Sequence, residues 1–337
     1  MSGFEENEIS INANGGTEIA KRKLAEILDP ELLDNFQIVC SRQREIDWTK
    51  IRIFWCHDLP EDPESAKFRD QEFKDSFHKY IFISDWQFQR YQLFHGVHYD
   101  AKSDVIESGI EPAPKSVFDM KKGEDGKIHI VYTSTPQRGL EILVPVFAEL
   151  AKTQPDIHLD VFSSFKIYGW DDADKQFEPL YDQIRNHPQM TYHGFVPNSE
   201  VKDFLNKSHI FAYPSIWMET SCRAMLEAMS AGLVCVHPNY GALPETSGGL
   251  NVMYRGDIGD KQHHCNILIN HLNAAIGYVR NDQHEGMIQF NKTFVDGRYN
   301  IDRIKNKWEV MLKDLMWRYP TVESRAKPKP QFVYRTI

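Results

Sequence analysis

Pro214-Ser215-Ile216-Trp217-Met218-Glu219-Thr220-Ser221-Cys222-Arg223-Ala224-Met225-Leu226-Glu227-Ala228-Met229-Ser230-Ala231-Gly232-Leu233-Val234-Cys235-Val236, continued by Gly241-Ala242-Leu243-Pro244-Glu245, decides how the rest of the chain is read. The pattern is strand, loop, helix, strand, loop. Ile210–Tyr213 is a short β-prone run stopped by Pro214. Thr220 or Ser221 is placed to cap a helix, whose free N–H groups would make an anion site. The helix is rich in Ala, Met and Leu and closes at Ala231-Gly232, with glycine just past the last turn. Leu233–Val236 then reads as a buried strand. Together they form a βαβ step of a parallel sheet, in which ligands gather at the carboxyl ends of the strands.

Two carboxylates stand out in this unit. Glu219 lies in the loop entering the helix. Glu227 lies inside the helix, on the face that also carries Ala224, Ala228 and Ala231. A carboxylate among small apolar neighbours needs donors. One reading is a solvated or Arg-paired helix glutamate. The other is a carboxylate accepting two sugar hydroxyls, each charged hydrogen bond contributing about 1.5–3 kcal/mol.

The Glu219-x7-Glu227 spacing, with Ala228-Met229-Ser230-Ala231-Gly232, a buried strand and the Pro244-Glu245 loop in register, resembles the donor-site signature of the family-4 retaining glycosyltransferases (glycosyl transferases group 1). That resemblance implies an α/β chain with the GT-B fold, two Rossmann-like α/β/α domains whose parallel sheets face each other across a cleft. It implies that Glu219 contacts the donor sugar and that Glu227 holds the ribose hydroxyls. Thr220, Ser221 and Cys222, at the helix entry, would line the same donor site and lend N–H groups to the leaving phosphate.

Composition sets the outer bounds. A chain of 337 residues suggests about two domains. An apolar fraction of 41% with 26% charged residues is that of an ordinary globular protein. The net charge of -9 and pI near 5.9 lack the basic footprint of a nucleic-acid binder. No run approaches the ~18–20 apolar residues of a membrane span, and no signal peptide opens the chain. The 5 cysteines, scattered and without CxxC spacing, fit reduced thiols in a cytoplasmic protein.

Working outward, Asn14-Gly15-Gly16-Thr17 precedes a helical pattern through Leu28. Paired glycines at a helix start allow close approach to a phosphate or sugar, though a tight turn explains them equally well. In the resembling family such a loop follows the first strand and lies near the donor. Here that strand is missing or atypical, so the first domain looks shortened. Asn35–Cys40, Ile51–Cys56, Tyr80–Ser84 and Asp104–Ile110 read as strands, with helices at Phe73–Tyr80 and from Ser84 through Phe94. His57-Asp58, at the carboxyl end of a strand, suits a cleft or a packed domain edge. The resemblance places His57 beside the reacting groups.

The second domain reads as strands at Ile128–Thr133, His158–Ser163, Met190–Phe195 and Ile210–Tyr213, with helices between them. Asn198 or Ser199 is expected to cap one helix, and Gln176–Asn186 to form another. After Ile128–Thr133 the family places a basic pair on the donor phosphates. This chain has Thr135 in the first position and Arg138 in the second, so Arg138 alone would clamp the diphosphate. The acidic run Asp171-Asp172-Ala173-Asp174 contains an Asp-x-Asp, read as the start of a polar helix rather than a metal site. His263-His264-Cys265 reads as surface, and Thr246–Leu250 as a flexible turn. Asn266–Val279, Asp282–Phe294 and Ile301–Trp317 read as helices, the last with the stripe Ile301, Ile304, Trp308, Met311, Leu312 and Leu315.

The expected domains are 1–115, a linker 116–126, 127–300, a helix 301–320 crossing back to the first domain, and a basic, Pro-rich tail 321–337 that could touch an acidic lipid surface. The expected activity is a hexosyltransferase (EC 2.4 class) of glycan biosynthesis. It would carry a hexose from a UDP- or GDP-sugar to a glycan, lipid-linked or other hydroxyl acceptor, with retention and without metal or further cofactor. Catalytic roles fall to His57, Glu219 and Arg138. Gly15, Gly16, Arg138, Glu219, Thr220, Ser221, Cys222 and Glu227 would bind the donor. The rivals are a nucleotide-sugar hydrolase or epimerase on the same fold, and a non-catalytic nucleotide- or sugar-binding relative.

Overall fold

The computed structural model describes residues 15–42, 45–114, 125–256 and 258–326. The expectation that the strand before Gly15 is missing or atypical, and those for most of the linker and for the tail beyond Ala326, lie outside the described residues. The chain forms two compact units, Met1–Gly109 with Ile301–Ile337, and Ile110–Asn300.

The first unit is built on a parallel sheet of four strands in the order β1 (Phe36–Cys40), β2 (Ile51–Cys56), β3 (Lys79–Phe82) and β4 (Ser103–Val105). Strand β2 reads Ile-Arg-Ile-Phe-Trp-Cys, and its side chains alternate between the two faces. Ile51, Ile53 and Trp55 join Ala20 and Leu24 of helix α1 (Gly16–Ile27) in one core. Phe54 and Cys56 turn to an aromatic core with Phe68, Phe73, Phe77 and Tyr91. Helix α2 (Asp85–His95) starts at Ser84, whose Oγ accepts from the Gln87 N–H at 3.0 Å, and ends at Gly96 in the left-handed region.

The second unit carries a six-stranded parallel sheet. Its strands are β5 (Ile128–Thr133), β6 (Ile157–Phe162), β7 (Met190–Tyr192), β8 (Ile210–Ala212), β9 (Val234–Pro238) and β10 (Val252–Tyr254). The spatial order is β10-β9-β8-β5-β6-β7. The direction of winding reverses between β5 and β8, the switch point at which doubly wound sheets open a ligand crevice. Helices α3 (Leu140–Ala151), α4 (Glu178–Arg185), α5 (Asn198–Leu205), α6 (Arg223–Ser230), α7 (Lys261–Arg280) and α8 (Glu285–Arg298) make the connections and close the unit. The last long helix, α9 (Ile301–Arg318), returns to the first unit. There Ile304, Trp308, Met311, Leu312 and Leu315 join the core beneath β2, with Trp308 set edge-on against Trp55 at 5.1 Å.

Several local expectations need correction. Of the Phe73–Tyr80 segment only Phe73–Asp75 is helical, as the end of a short helix Gln71–Asp75, because Lys79-Tyr80-Ile81-Phe82 pairs with β2. Strand β4 stops at Val105, although Ile106 N–H still donates to Phe82 O at 2.9 Å. Helix α5 has Pro197 in the capping position and no side-chain cap, so neither Asn198 nor Ser199 caps it. The helix expected at Gln176–Asn186 starts at Glu178, after a tight turn over Asp171–Phe177. Thr246 and Ser247 belong to a helical turn, Leu243–Ser247, closed by Gly248 and Gly249 at positive φ. His264 is not on the surface: it is fully buried, hydrogen-bonded to the Tyr254 hydroxyl at 2.9 Å. The start of the tail is also held, since the Arg325 guanidinium donates to Tyr319 O and Asn35 Oδ1. No helix among the described residues is long and apolar enough to cross a membrane.

Candidate functional site

The loops leaving β5 and β8 at the switch point build the most distinctive polar cluster of the second unit. Tyr213 follows β8 directly and is buried, as is Glu219 six residues on. The Tyr213 hydroxyl donates to Glu219 Oε1 at 2.5 Å, and Arg138 Nη1 donates to the same oxygen at 2.7 Å. Glu219 Oε2 has no hydrogen-bond partner among the described residues, so one oxygen is anchored and the other remains available. Arg138 in turn donates through Nη2 to the Tyr168 hydroxyl at 3.3 Å and lies 5.7 Å from the Trp217 ring centre. Burial works against the guanidinium charge, but Glu219, Tyr213 and Tyr168 around it hold Arg138 firmly protonated. Burial, reinforced by the Glu219 charge, pushes the Tyr213 phenol well above its usual range, so it stays a donor.

Two backbone approaches fix this cluster. Gly139 sits at φ +126°, and a Cβ there would lie 2.2 Å from Pro214 O, so only glycine lets the β5 loop pack on the exit of β8. Gly241 sits at φ +59°, where a Cβ would fall 2.7 Å from Glu219 N. Next to it, Ala242 N–H donates to Glu219 O at 2.8 Å, so the Gly241–Glu245 loop holds the Glu219 backbone.

Glu227 is buried on α6 and receives Arg223 Nε at 3.1 Å and Asn198 Nδ2 at 3.3 Å. Its requirement for donors is met by an Arg one turn earlier and an Asn at the start of α5. Helix α6 begins at Arg223 with Cys222 in the capping position and no side-chain cap, which corrects the expectation of a Thr220 or Ser221 cap. Both of those residues are half-buried in the loop before the helix. The Cys222 thiol is pushed up by burial, and further by Glu219, so it behaves as a packed thiol. The Asp-x-Asp is structural: Asp174 accepts from Ser164 Oγ (2.5 Å), Phe165 N–H (2.9 Å) and the Tyr181 hydroxyl (2.9 Å). Asp172 is exposed and pairs with Lys175.

In the first unit, His57 follows β2 and is buried, its ring 4.4 Å from that of Trp55 and its main-chain N–H donating to Ser41 Oγ at 2.9 Å. Burial, with Lys21 nearby, pushes its pKa down to about 3, so the imidazole is neutral at ordinary pH. The turn that follows is tightly held. Gln87 Nε2 and the Tyr91 hydroxyl donate to Asp58 O, Ser65 Oγ donates to Leu59 O, and His95 Nε2 meets Pro60 O. Gly15 caps α1 in an extended conformation open to any residue, and nothing lies within 4 Å of a Cβ placed on Gly16. The glycine pair therefore leaves room beside the helix start without a strained turn.

The structure thus joins Arg138 to Glu219 directly, sets Glu227 in its own hydrogen-bonded pair, and keeps His57 and the glycines in the other unit. Sequence reasoning missed Tyr213, Tyr168 and Trp217. Tyr213 was detectable in principle, because it is the last residue of a β-prone run at the switch point.

Parallel α/β units of four and six strands, the second doubly wound with its polar cluster at the switch point, have the architecture of the GT-B fold. Residues 115–249 match the family described as Glycosyl transferases group 1. Over 141 residues the chain is 25% identical to the corresponding part of one subunit of the human phosphatidylinositol N-acetylglucosaminyltransferase. That match takes in 42% of this chain and 28% of the human protein, so the chain corresponds to less than a third of this relative's length. A glycosyltransferase from Rickettsia africae superposes with a TM-score of 0.64 at 14% identity, over 91% of this chain and 84% of that one. Anabaena HepE, solved with UDP and glucose, gives 0.58 at 16% identity, over 79% and 72% of the two chains. At these identities the structural likeness speaks for the fold.

Proposed function

We propose that this chain transfers a hexose from a nucleoside diphosphate sugar to an acceptor hydroxyl, with retention and without a metal ion. The observation that carries the reading is the state of Glu219. It is buried, with one oxygen gripped by Arg138 and Tyr213 and the other without a partner among the described residues. A carboxylate held this way is suited to accept hydroxyls from a sugar ring.

Glu227 would hold the ribose of the nucleotide, and Arg138 would balance charge on the leaving diphosphate. Gly15, Gly16 and His57 would serve the same reaction from the first unit, His57 as a neutral hydrogen-bonding group. Anabaena HepE, solved with UDP and glucose, supports a nucleotide-sugar donor. Retention follows the family resemblance, the leaving phosphate itself taking the proton of the incoming hydroxyl. The acceptor would be a glycan, a lipid-linked alcohol or another hydroxyl compound.

Release of nucleoside diphosphate from UDP-glucose, UDP-N-acetylglucosamine and GDP-mannose, with and without an acceptor panel, tests the proposal. Acceptor-dependent release that is lost in Glu219→Ala supports transfer. Release to water alone would favour a hydrolase. Nucleotide binding with no turnover of any donor would favour a non-catalytic relative.

A further inference from the structure

Trp170 and Trp217 are 60% and 46% exposed, yet both stand close to the Arg138–Glu219 pair. Trp217 lies near the Arg138 guanidinium, and the Trp170 ring is 5.2 Å from that of Tyr168, whose hydroxyl accepts from Arg138. Tryptophan is on average a highly buried side chain, so two of them open to solvent around one polar cluster mark a surface made for contact.

The loops that carry these rings are held fast. Gly169 turns through the left-handed region, after which Trp170 N–H donates to Phe165 O at 3.3 Å and Ala173 N–H donates to Trp170 O at 3.1 Å. The buried Asp174 pins the same loop through its hydrogen bonds from Ser164, Phe165 and Tyr181. The buried Phe165 ring runs nearly parallel to that of Trp170, at 6.4 Å and 20°. At Trp217 the fully buried Ser215 grips the main chain, its Oγ accepting from Trp217 N–H at 3.2 Å and donating to Trp217 O at 2.9 Å. Rings presented on a fixed backbone lose little freedom when they bind.

The chemistry of this surface narrows its ligand. Exposed charges on the Trp170 loop balance, Lys166 and Lys175 against Asp171 and Asp172, so neither an anionic headgroup nor a cation is favoured. The aromatic faces are electron-rich and attract the polarised C–H groups on the flat side of a pyranose. A guanidinium and a phenol hydroxyl lie among the rings, which suits a ligand that is apolar on its faces and polar at its rim better than a plain hydrocarbon. Glu219 is committed to the donor sugar in the transfer reading. Trp170 is separated from it by Arg138 and Tyr168, so it meets a different ring.

We propose that Trp170, together with Tyr168 and Trp217, forms a stacking platform for a pyranose ring of the acceptor, which makes the acceptor an uncharged glycan. The assignment rests on the sugar-transfer reading and adds to it the acceptor's chemical class.

The test uses the full chain, with UDP and GDP titrated by calorimetry and maltotriose, cellotriose, chitotriose and mannotriose by ligand-observed NMR. At least one trisaccharide should bind the parent, and Trp170→Ala should weaken it by about 5–10-fold, the loss of one ring stack, with nucleotide affinity unchanged. Trp170→Phe, which keeps a ring, should retain most of the affinity. Trp317→Ala, which removes an indole 81% exposed on α9 of the first unit, should change nothing. Failure of every trisaccharide to bind the parent would overturn the assignment, as would an equal loss in Trp317→Ala or full affinity in Trp170→Ala. A loss of nucleotide affinity in Trp170→Ala would give the ring to the nucleotide and overturn it too. If neither UDP nor GDP binds the parent, the transfer reading falls and takes the acceptor role with it. Nucleotide binding by the parent with trisaccharide binding absent, or indifferent to Trp170, removes the assignment alone.

Discussion

Glu219 is placed by three kinds of contact: a guanidinium and a phenol on one carboxylate oxygen, and a glycine loop against its main chain. Each can be altered separately. Tyr213→Phe removes one donor and little volume, leaving the carboxylate to Arg138 alone. A hydrogen bond to a charged group contributes about 1.5–3 kcal/mol, so the variant should lose stability of that order in urea unfolding. If Tyr213 positions Glu219 for a sugar, the extra melting protection that UDP-glucose gives over UDP should shrink, while protection by UDP remains. An unchanged sugar increment would reduce Tyr213 to a packing role. Gly241→Ala acts on the other side of the same residue. It forces a Cβ to within 2.7 Å of Glu219 N at a positive φ, and should cost more than the ~1 kcal/mol typical of a point mutation. Glu227→Ala probes the second carboxylate. At about a hundred times Kd the nucleotide should stabilise the parent by about 2.7 kcal/mol, and this protection should vanish in the variant. Full protection by both UDP and GDP would remove Glu227 from the ribose role.

The elements differ in how plainly the sequence announces them. Helix α9 is legible because its apolar residues keep one face over five turns, and Trp308 and Leu312 are fully buried there. Strands β2, β5 and β6 are legible as β-prone runs long enough to bury on both faces. Strand β10 escapes such a reading because three residues carry no period, and its pairing with β9 is a tertiary fact. The cap of α6 misleads because Thr220 and Ser221 have capping chemistry, whereas the helix begins only at Arg223, with Cys222 in the capping position and no side-chain cap. At the site, the carboxylates are legible from spacing, but their partners are not. Tyr213 and Arg138 lie 75 residues apart in sequence and meet only because β5 and β8 are neighbours at the switch point. For α9, Trp308→Ala opens a cavity beside Trp55 and should cost about 3–5 kcal/mol. Chemical denaturation of the full chain measures this, and a loss below about 1 kcal/mol would contradict the core role of the helix.

Across the whole molecule, buried neutral histidines set the response to acid. Burial is the leading cause in each case. His57 is pushed down to about 3, with Lys21 assisting, and His78 to about 3, with Arg52 and Lys102 assisting, while His237 is pushed to about 4. In the unfolded chain each titrates near 6.5. Between that value and the folded ones the unfolded state binds more protons, so stability is lost as pH falls below about 6.5, by up to about 1.4 kcal/mol per pH unit for each group. His129 runs the other way: its hydrogen bond to Asp160 raises its pKa, and its contribution is present at low pH and lost as pH rises through the folded value. The depressed histidines outweigh the raised one and leave a net acid sensitivity. His78 offers a clean test, because its Nδ1 accepts the Arg52 N–H at 2.9 Å and an asparagine Oδ1 can take over that role. His78→Asn should therefore keep most of the stability at neutral pH. Its unfolding free energy between about pH 6.5 and 5 should decline less steeply than the parent's, by about 1 kcal/mol per pH unit. Urea titrations across that range read both slopes, and parallel slopes would show that His78 takes up its proton without unfolding.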